Sequence, residues 1–238
     1  MKNQEGTPRP LHGMFTVVPP RYDLINHVIT LGMDKRWRRL AARACLENTP
    51  QKILDLGCGT GDLSVNIARL ATKDVAITGL DYSLPMLEKA RQKALQAGVK
   101  MEFIEGDATG LPFPDASFDT VGISFAFRNL TYKNPLGLNH LAEVYRVLKP
   151  GGRYVIVESS QPENAVIRAF FHLYLRAFVA PTGQVLSGNK GAYNYLEESA
   201  RRYYMPAEVK SMLLGAGFKD VRYHPLFFGA AGLQVALK

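Results

Sequence analysis

The stretch Lys52-Ile-Leu-Asp-Leu-Gly-Cys-Gly-Thr-Gly61 constrains the fold of this chain more than any other. Its apolar residues Ile53, Leu54 and Leu56 predict a short buried strand, and residues 62–70 have the apolar spacing of a helix. Glycine at alternate positions between them lets the backbone turn sharply and leaves no Cβ between the loop and a ligand. A strand, such a loop and a helix N-terminus together are typical of a cofactor site in an open sheet.

The spacing of these glycines distinguishes between cofactors. A dinucleotide site has the pattern GxGxxG, which seats a pyrophosphate on the helix N-terminus. Here the pattern is GxGxG, and Asp55 precedes the first glycine. A carboxylate at this point repels pyrophosphate and suits a cation, such as the ammonium of an amino acid. S-adenosylmethionine carries an ammonium, a sulfonium and no phosphate, so it is the predicted cofactor. A plain packing loop is the alternative for this motif alone.

Composition bounds the class of protein. The chain has 238 residues, 47% of them hydrophobic, which is enough for one large α/β domain or two small ones. Its formal charge of +8 favours nucleic acid, anionic membrane or acidic substrates, but no block of like charges forms a nucleic-acid arm. Cys45 and Cys58 form no CxxC pair, which predicts a reduced, cytoplasmic chain. No signal peptide and no membrane span are predicted.

Strands and helices alternate after the glycine loop, which predicts a parallel sheet with helices on both faces. The last two predicted strands are too close in sequence for a crossover helix, so they should pair antiparallel at a sheet edge. The predicted fold class is therefore α/β, a doubly wound and mostly parallel sheet. The remaining strands are predicted at 75–81, 101–105, 120–125, 154–158, 218–224 and 233–237, and the helices at 85–96, 138–148 and 207–214.

Two segments of the predicted single domain fall outside this alternation. Residues 1–48 include a predicted helix at 22–31 and a second helix that Asp34 is expected to cap, and we expect this segment to form a helical lid over the cofactor edge. Residues 160–205 form a helical insertion that faces substrate or lipid. No pair of histidines in the chain has the spacing of metal ligands, so no metal site is predicted.

One helix of the insertion carries the lipid argument. In residues 165–179, Arg168, His172 and Arg176 recur at every fourth position, which gives a narrow polar stripe with apolar residues elsewhere. Such a helix must be buried, line a lipid tunnel or lie on a membrane. A prenylated substrate requires one of the last two. A buried helix or the seam of a homodimer is the alternative.

Two aspartates end predicted strands at the edge where ligands bind in open sheets. Asp81 can accept hydrogen bonds from both ribose hydroxyls, or it can cap the next helix. Asp107, within Gly106-Asp107-Ala108, can accept from an adenine amino group, or it can be an ordinary turn residue.

With Asp55, the glycine loop, Asp81, Asp107 and Leu148-Lys-Pro-Gly-Gly152 in this order, the chain resembles class I S-adenosylmethionine-dependent methyltransferases from about residue 50 to 238. That resemblance implies a seven-stranded sheet with an antiparallel C-terminal strand. It also implies glycines under the methionine part of the cofactor, Asp81 at the ribose and Asp107 at the adenine. The implied cofactor-binding set is Asp55, Gly57, Cys58, Gly59, Gly61, Asp81, Tyr82, Asp107, Ala108 and Ser124.

Two further stretches narrow the resemblance. Tyr22-Asp-Leu-Ile-Asn26 followed by Trp37, and residues 146–160, are similar to the two signature regions of the ubiquinone/menaquinone biosynthesis C-methyltransferases. This similarity implies methylation of a ring carbon of a prenylated hydroquinone, with demethylmenaquinol as the first choice and a ubiquinol precursor as the second. A methyltransferase for another phenolic or polyketide acceptor is an alternative, and so is an inactive cofactor-binding subunit of a larger assembly.

The chemistry of such a transfer requires a group that stabilises a phenolate, because a phenol titrates near 10. Arg128 follows the fourth predicted strand and can hold the developing oxyanion, although arginine cannot act as a base. A helix cap or a surface salt bridge is the alternative for Arg128. The resemblance adds Asn129 and Tyr22 to the catalytic group, and Asn26, Tyr193 and Tyr195 to the substrate site.

Four positions depart from the pattern of that family, and the first is Thr30, where a serine is usual. Asp34 stands where a histidine is usual, Glu197 where a proline is usual, and Gln234 where a histidine is usual. The expected partners are a prenylated quinol and, peripherally, the inner face of a membrane, with a homodimer as a further expectation and no nucleic acid.

Overall fold

The structure is a computed structural model, and it describes residues 22–72 and 74–238. Seven strands form one sheet in the order β3-β2-β1-β4-β5-β7-β6. Strands β1 to β5 run parallel, with β1 between β2 and β4, whereas β7 pairs antiparallel with both β5 and β6. The strands are β1 Lys52–Leu56, β2 Ala76–Asp81, β3 Glu102–Glu105, β4 Phe118–Ser124, β5 Leu148–Ser159, β6 Lys219–Leu226 and β7 Ala231–Leu237.

The doubly wound, mostly parallel sheet with an antiparallel C-terminal strand is thus confirmed. Ten α-helices accompany the sheet within the described ranges, and one π-helical turn, Leu175–Val179, joins two of them. The helices are α1 Tyr22–Ile29, α2 Met33–Leu46, α3 Asp62–Leu70, α4 Leu84–Gln96, α5 Phe127–Thr131, α6 Gly137–Val147, α7 Ala165–Tyr174, α8 Ala180–Ser187, α9 Lys190–Arg201 and α10 Pro206–Gly215.

The core lies on both faces of the sheet, as expected when helices cover a parallel sheet on two sides. On one face, Leu54 and Leu56 pack with Leu141 of α6 and Leu213 of α10, all almost fully buried. On the other face, α2 and α3 pack against β1 and β5 in a cluster that includes Ile53. Because β1 is covered on both faces, residues 53–56 are all buried and burial does not alternate along the strand.

The two C-terminal strands, β6 and β7, form an antiparallel hairpin, as their short connection predicts. β7 lies beside β5, with Val155 opposite Val235, and β6 forms the outer edge of the sheet. The strand predicted at 154–158 is longer than expected. It begins at Leu148, which pairs with Phe118, and a register shift follows before Thr120. The Pro-Gly-Gly segment therefore lies within the strand.

The N-terminal segment differs from the prediction in two ways. The N-cap of α2 is Gly32, and Asp34 lies inside the first turn, so the prediction that Asp34 caps this helix is wrong. Helix α2 also packs on the sheet face through Trp37 and Ala41 rather than only covering an edge. Residues 1–21 of the predicted lid lie outside the described residues, and so does the side chain of Tyr22.

The insertion and helix α1 pack against each other in a separate apolar cluster. Ile25 of α1 contacts Leu175 and Val179 of the π-helical turn and Tyr193 of α9, and all four side chains are buried. Helix α7 differs from its neighbours, because none of its residues is buried. A π-helical turn shifts the register of a helix by one residue, so the polar stripe predicted to run to Arg176 is interrupted.

Candidate active site

The glycine loop lies between β1 and α3, with a backbone that requires glycine. Gly57, Gly59 and Gly61 have φ values of 62°, 53° and 79°, in the left-handed region. A Cβ on Gly57 would lie 2.9 Å from the Cβ of Ala126, so no larger residue fits there without displacement. The loop is therefore held close to the start of α5, beneath the carboxyl ends of the strands.

Asp55 joins this loop to the helix that follows it. Its side chain is 1% exposed, and its Oδ2 accepts hydrogen bonds from the amide of Ser64 at 2.9 Å and from the Ser64 hydroxyl at 2.5 Å. Burial raises the pKa of Asp55 to about 7, because the bonds from Ser64 offset only part of the lost hydration. A cation close to Asp55 would stabilise its ionised form.

Asp81 lies at the end of β2, against the same loop. Its carboxylate accepts hydrogen bonds from the amides of Gly59 at 2.8 Å and Ser83 at 2.9 Å. Burial nevertheless raises the pKa of Asp81 above its ordinary value. At the end of β3, Asp107 accepts from the amide and the hydroxyl of Thr109 at 2.9 and 2.8 Å, which is the turn arrangement that the sequence left open.

A cavity of about 1390 Å³ opens over these strand ends. Pockets for a single small ligand have volumes of about 300–1,000 Å³, so this cavity is large enough for a cofactor and a second molecule. Gly61 does not line it and instead packs against Ala90 and Phe103. The cavity brings together these residues predicted from the sequence: Asn26, Asp55, Gly57, Cys58, Gly59, Asp81, Tyr82, Asp107, Ala108, Ser124, Arg128, Asn129, Tyr193 and Tyr195.

Arg128 lies in the wall of the cavity and is 5% exposed. Its Nη1 donates to the hydroxyl of Ser159 at 2.9 Å, and its amide donates to Oε2 of Glu158 at 3.0 Å. The other oxygen of Glu158 accepts from the amide and hydroxyl of Ser159, so β5 fixes the position of the arginine.

Three buried polar atoms in the cavity wall lack a partner among the described residues. They are Nε of Arg128, Oδ1 of Asn129 and Oγ of Ser124. Buried polar groups almost always have hydrogen-bond partners, so unpaired ones in a cavity indicate a polar ligand. Ser124 ends β4, and Arg128 and Asn129 belong to the short helix α5 that follows it.

Helix α1 closes one side of the cavity and is tied to the glycine loop by charge. Asp23 accepts hydrogen bonds from the Thr60 hydroxyl at 2.8 Å and from Nζ of Lys93 at 2.9 Å. Lys93 also bonds Asp62 at 2.5 Å. These contacts hold the N-terminal helix over the glycine loop.

Exposed apolar side chains surround the mouth of the cavity. Leu31, Phe170, Phe227 and Phe228 all line it, and they are 64%, 69%, 49% and 76% exposed. Phe227 and Phe228 have φ values of 45° and 56°, a strained conformation for aromatic residues. We call these four residues the apolar rim.

Sequence reasoning missed several residues of this wall. Arg38 and Phe227 were not singled out, and Asp34 was considered only as a cap and as a departure from the family pattern. The i,i+4 spacing of Asp34 and Arg38 was the available signal for a salt bridge. Of the four departures from the family pattern, Thr30 and Asp34 line the cavity, whereas Glu197 pairs with Arg201 and Gln234 is buried beside Pro206.

A doubly wound sheet with an acid-flanked GxGxG loop and a carboxylate at the end of β2 defines the class of S-adenosylmethionine-dependent methyltransferases. The chain belongs to the ubiE/COQ5 methyltransferase family, whose family model matches residues 1–238.

Individual relatives agree with this membership. The chain is 43% identical to the demethylmenaquinone methyltransferase of Thermus thermophilus over 93% of this chain and 98% of that protein. It is 35% identical to the ubiquinone/menaquinone biosynthesis C-methyltransferase UbiE of Azotobacter vinelandii, over 94% of this chain and 88% of that protein. The crystal structure of a SAM dependent methyltransferase from Aquifex aeolicus shares the fold, with a TM-score of 0.56 and 20% identity over 79% of this chain and 81% of that one.

The cofactor of this enzyme is therefore S-adenosylmethionine, and the cavity fits it. Asp55 and Asp81 are buried carboxylates with raised pKa values, and both line the cavity beside the glycine loop. Their chemistry suits a ligand that brings positive charge and hydroxyl donors. The unpaired hydroxyl of Ser124 lies in the same wall.

Proposed function

We propose that this chain methylates a ring carbon of a prenylated hydroquinone, with demethylmenaquinol as the first substrate and a ubiquinol precursor as the second. The names of the curated relatives support this choice. The observation that carries it is the buried guanidinium of Arg128, which lies in the cavity wall with Nε free of any partner among the described residues.

In this proposal the cofactor binds along the glycine loop, with Asp55 at the ammonium, Asp81 at the ribose hydroxyls and Asp107 at the adenine. Gly57, Cys58, Gly59, Tyr82, Ala108 and Ser124 complete that site. When bound, the cofactor supplies an electrophilic methyl group on a sulfonium.

The residues of the chain act on the acceptor. Arg128 holds the oxygen of the quinol and stabilises the phenolate that forms when the phenolic proton leaves to water. The ring carbon, made nucleophilic by the phenolate, would take the methyl group as its bond to sulfur breaks, and it would then lose its proton to water, which restores aromaticity. Oδ1 of Asn129 accepts a hydrogen bond from the second hydroxyl. Asn26, Tyr193 and Tyr195 enclose the ring, together with Tyr22, whose side chain lies outside the described part of the chain.

Replacement of Arg128 tests this function. We expect Arg128→Ala to reduce kcat with demethylmenaquinol by about 10²- to 10³-fold, as loss of an oxyanion donor does elsewhere. The residual rate should rise with pH, because the phenol must then ionise without help. Transfer of labelled methyl groups to a panel of quinols, phenols and polyketides measures both the rate and the preferred acceptor.

A matched control keeps the test specific. Lys133 also lines the cavity, but its side chain is 63% exposed and pairs with Glu198, so Lys133→Ala should leave the turnover nearly unchanged. Unchanged turnover in Arg128→Ala would reject its role. Cofactor binding without transfer to any acceptor would favour the inactive-subunit alternative.

We also propose that the protein is cytoplasmic and that its apolar rim contacts the inner face of a membrane. Residues 22–48 form the lid of a single domain, and residues 160–205 form the insertion that faces substrate and lipid. Both cysteines are free thiols, which suits a reducing compartment. No helix of the described residues is long and apolar enough to cross a bilayer. Helix α7 exposes Val166, Phe170 and Leu173 on one face, which a bilayer would cover.

The alternative cover for this face is a second copy of the chain. Sedimentation velocity distinguishes the two, because a homodimer in solution would retain its mass without lipid, whereas a membrane-binding monomer would sediment with vesicles only.

A further inference from the structure

The cavity wall has more acidic than basic side chains, so the carboxylate of the cofactor has few possible partners. Among the residues that the structure describes, seven acidic side chains line the cavity and three basic ones do. The acids can serve an ammonium, a sulfonium or hydroxyl donors. S-adenosylmethionine also carries a carboxylate, and that group requires a cation. The acids are Asp34, Asp55, Asp62, Asp81, Asp107, Glu158 and Glu198, and the bases are Arg38, Arg128 and Lys133.

Two of the three bases are committed to other places. The side chain of Lys133 is 63% exposed and lies 3.6 Å from Glu198. Arg128 is anchored to Ser159 at the end of β5. Arg38 remains, and it belongs to α2, whose Trp37 packs on the sheet beside α3.

Arg38 lies next to the glycine loop. Its Nη1 is 3.6 Å from Oδ2 of Asp62, the residue that follows Gly61 and begins α3. Its guanidinium carbon lies 5.3 Å from the ring centre of Phe125, directly after β4. Its positive charge also acts to lower the pKa of Asp55. An ammonium at Asp55 and a carboxylate at Arg38 would therefore be neighbours, as they are in an amino acid.

Asp34 fixes the direction of this arginine. It accepts from Nη1 of Arg38, from the Thr30 hydroxyl at 3.0 Å, and contacts Nδ1 of His27 at 2.7 Å. Asp34 is 1% exposed; burial would raise its pKa, but Arg38 and His27 outweigh burial and lower it. Asp34 thus stays ionised and holds Nη1. Among the described residues none accepts a hydrogen bond from Nε or Nη2 of Arg38, which leaves these donors for a ligand.

We infer that Arg38 binds the carboxylate of S-adenosylmethionine and that Asp34 is the positioning residue for Arg38. The inference rests on the proposed course of the cofactor from Asp81 to Asp55. The inference explains why an aspartate at position 34 is compatible with this site. Asp34 holds the flexible side chain of Arg38 in one orientation, so that Nε and Nη2 can donate together to the two oxygens of a carboxylate.

Calorimetric binding of two ligands tests the inference without turnover. Decarboxylated S-adenosylmethionine keeps the sulfonium, the ammonium and the nucleoside but has no carboxylate. We expect Arg38→Ala to weaken binding of S-adenosylmethionine by about 10- to 100-fold, as loss of a charge-assisted bond does. Binding of the decarboxylated ligand should change less than about threefold. Equal losses for the two ligands would overturn the inference.

Matched variants separate this role from a structural one. Arg39→Ala removes an exposed arginine from the same helix and should change neither affinity. Asp34→Asn should weaken S-adenosylmethionine alone, by a smaller factor, if it acts through Arg38; a uniform loss would mark it as a purely structural residue. If Arg38→Ala fails to fold, Arg38→Lys serves instead, since it keeps the charge and loses the fork, and the preference for the carboxylated ligand should shrink.

The failure of this inference is distinguishable from failure of the proposed cofactor site. Asp81→Asn should weaken both ligands equally, because both carry the ribose. If Asp81→Asn has no effect on either ligand, the proposed course of the cofactor is wrong. If Asp81→Asn weakens both and Arg38→Ala also weakens both equally, only the role of Arg38 is wrong.

Discussion

At the scale of single residues, the hydrogen bonds of Asp55 stabilise the fold, whereas the burial of its negative charge destabilises it. Asp55 supports α3 through Ser64, yet its ionised form is poorly hydrated, so its pKa is about 7 in the folded protein. In the unfolded chain an aspartate titrates near 3.9. Between about pH 4 and pH 7, Asp55 stays protonated in the folded protein but is ionised in the unfolded chain. The free energy of unfolding therefore falls as the pH rises through this range, by up to about 4 kcal/mol.

The variant Asp55→Asn should therefore be more stable than the wild type without cofactor at pH 8, and similar to it at pH 4.5. It should also lose most of its affinity for S-adenosylmethionine, because the neutral amide cannot pair with an ammonium. Thermal unfolding at the two pH values, with and without cofactor, measures both effects.

Asp119→Asn is the matched control for that experiment. Lys149 and two backbone amides hold the pKa of Asp119 below its usual value despite partial burial, so its loss should destabilise the protein at pH 8. An Asp55→Asn variant that unfolds earlier than the wild type at pH 8 would contradict the raised pKa.

Single residues also show where sequence reasoning ends. The carboxylates at strand ends were predictable, because the alternation of strands and helices brings those ends to one edge. The role of Asp34 was predictable only in part: the i,i+4 spacing signals its pairing with Arg38, but its contact with His27 joins two helices. A local capping rule cannot foresee a contact between two helices whose relative position the whole fold determines.

At the scale of elements, the close packing of α8 against α9 determines the position of Tyr193. A Cβ built on Gly183 of α8 would lie 1.9 Å from the ring of Tyr193. Gly183→Ala should therefore displace Tyr193 and cost about 1–3 kcal/mol of stability, as overpacking does. Because Tyr193 lines the proposed substrate site, the KM for demethylmenaquinol should rise about tenfold while the affinity for S-adenosylmethionine stays unchanged.

Gly191→Ala provides the comparison within the next helix. A Cβ there meets only Oδ1 of Asn189, at 3.7 Å, so this substitution should preserve KM and slightly stabilise α9. Steady-state kinetics and thermal unfolding of both variants give the answer. An unchanged KM in Gly183→Ala would remove Tyr193 from the quinol site.

Elements with local signals were predictable, and those that depend on distant contacts were less so. The helix predicted at 62–70 has those same bounds, because a glycine loop begins it and its apolar spacing is regular. The insertion was predicted as helical, but its π-helical turn at 175–179 was not. The need for glycine at position 183 could not be predicted, because it depends on how closely α8 packs against Tyr193 of α9.

On the scale of the whole molecule, the acidic and basic residues are separated between the cavity wall and the outer surface. The chain has a formal charge of +8, while the described part of the cavity wall has seven acids and three bases. The basic excess therefore lies outside the cavity. The exposed residues Lys35 and Arg36 lie at the start of α2, four and five residues after Leu31 of the apolar rim. Such a surface suits an anionic bilayer, whereas the acidic interior suits a cationic cofactor.

Phe227→Asn combined with Phe228→Asn tests the bilayer contact without disturbing the turn. Asparagine tolerates the left-handed backbone that both residues adopt, so folding should be preserved while the rim loses its aromatic rings. We expect co-sedimentation with anionic phospholipid vesicles to fall at least about tenfold, and wild-type binding to weaken as salt increases. Leu95→Gln, which removes an 82% exposed side chain of α4 away from the cavity, should bind as the wild type does. Vesicle binding that is equal in the double variant and the wild type would show that the rim does not contact lipid, and the quinol would then have to reach Arg128 by another route.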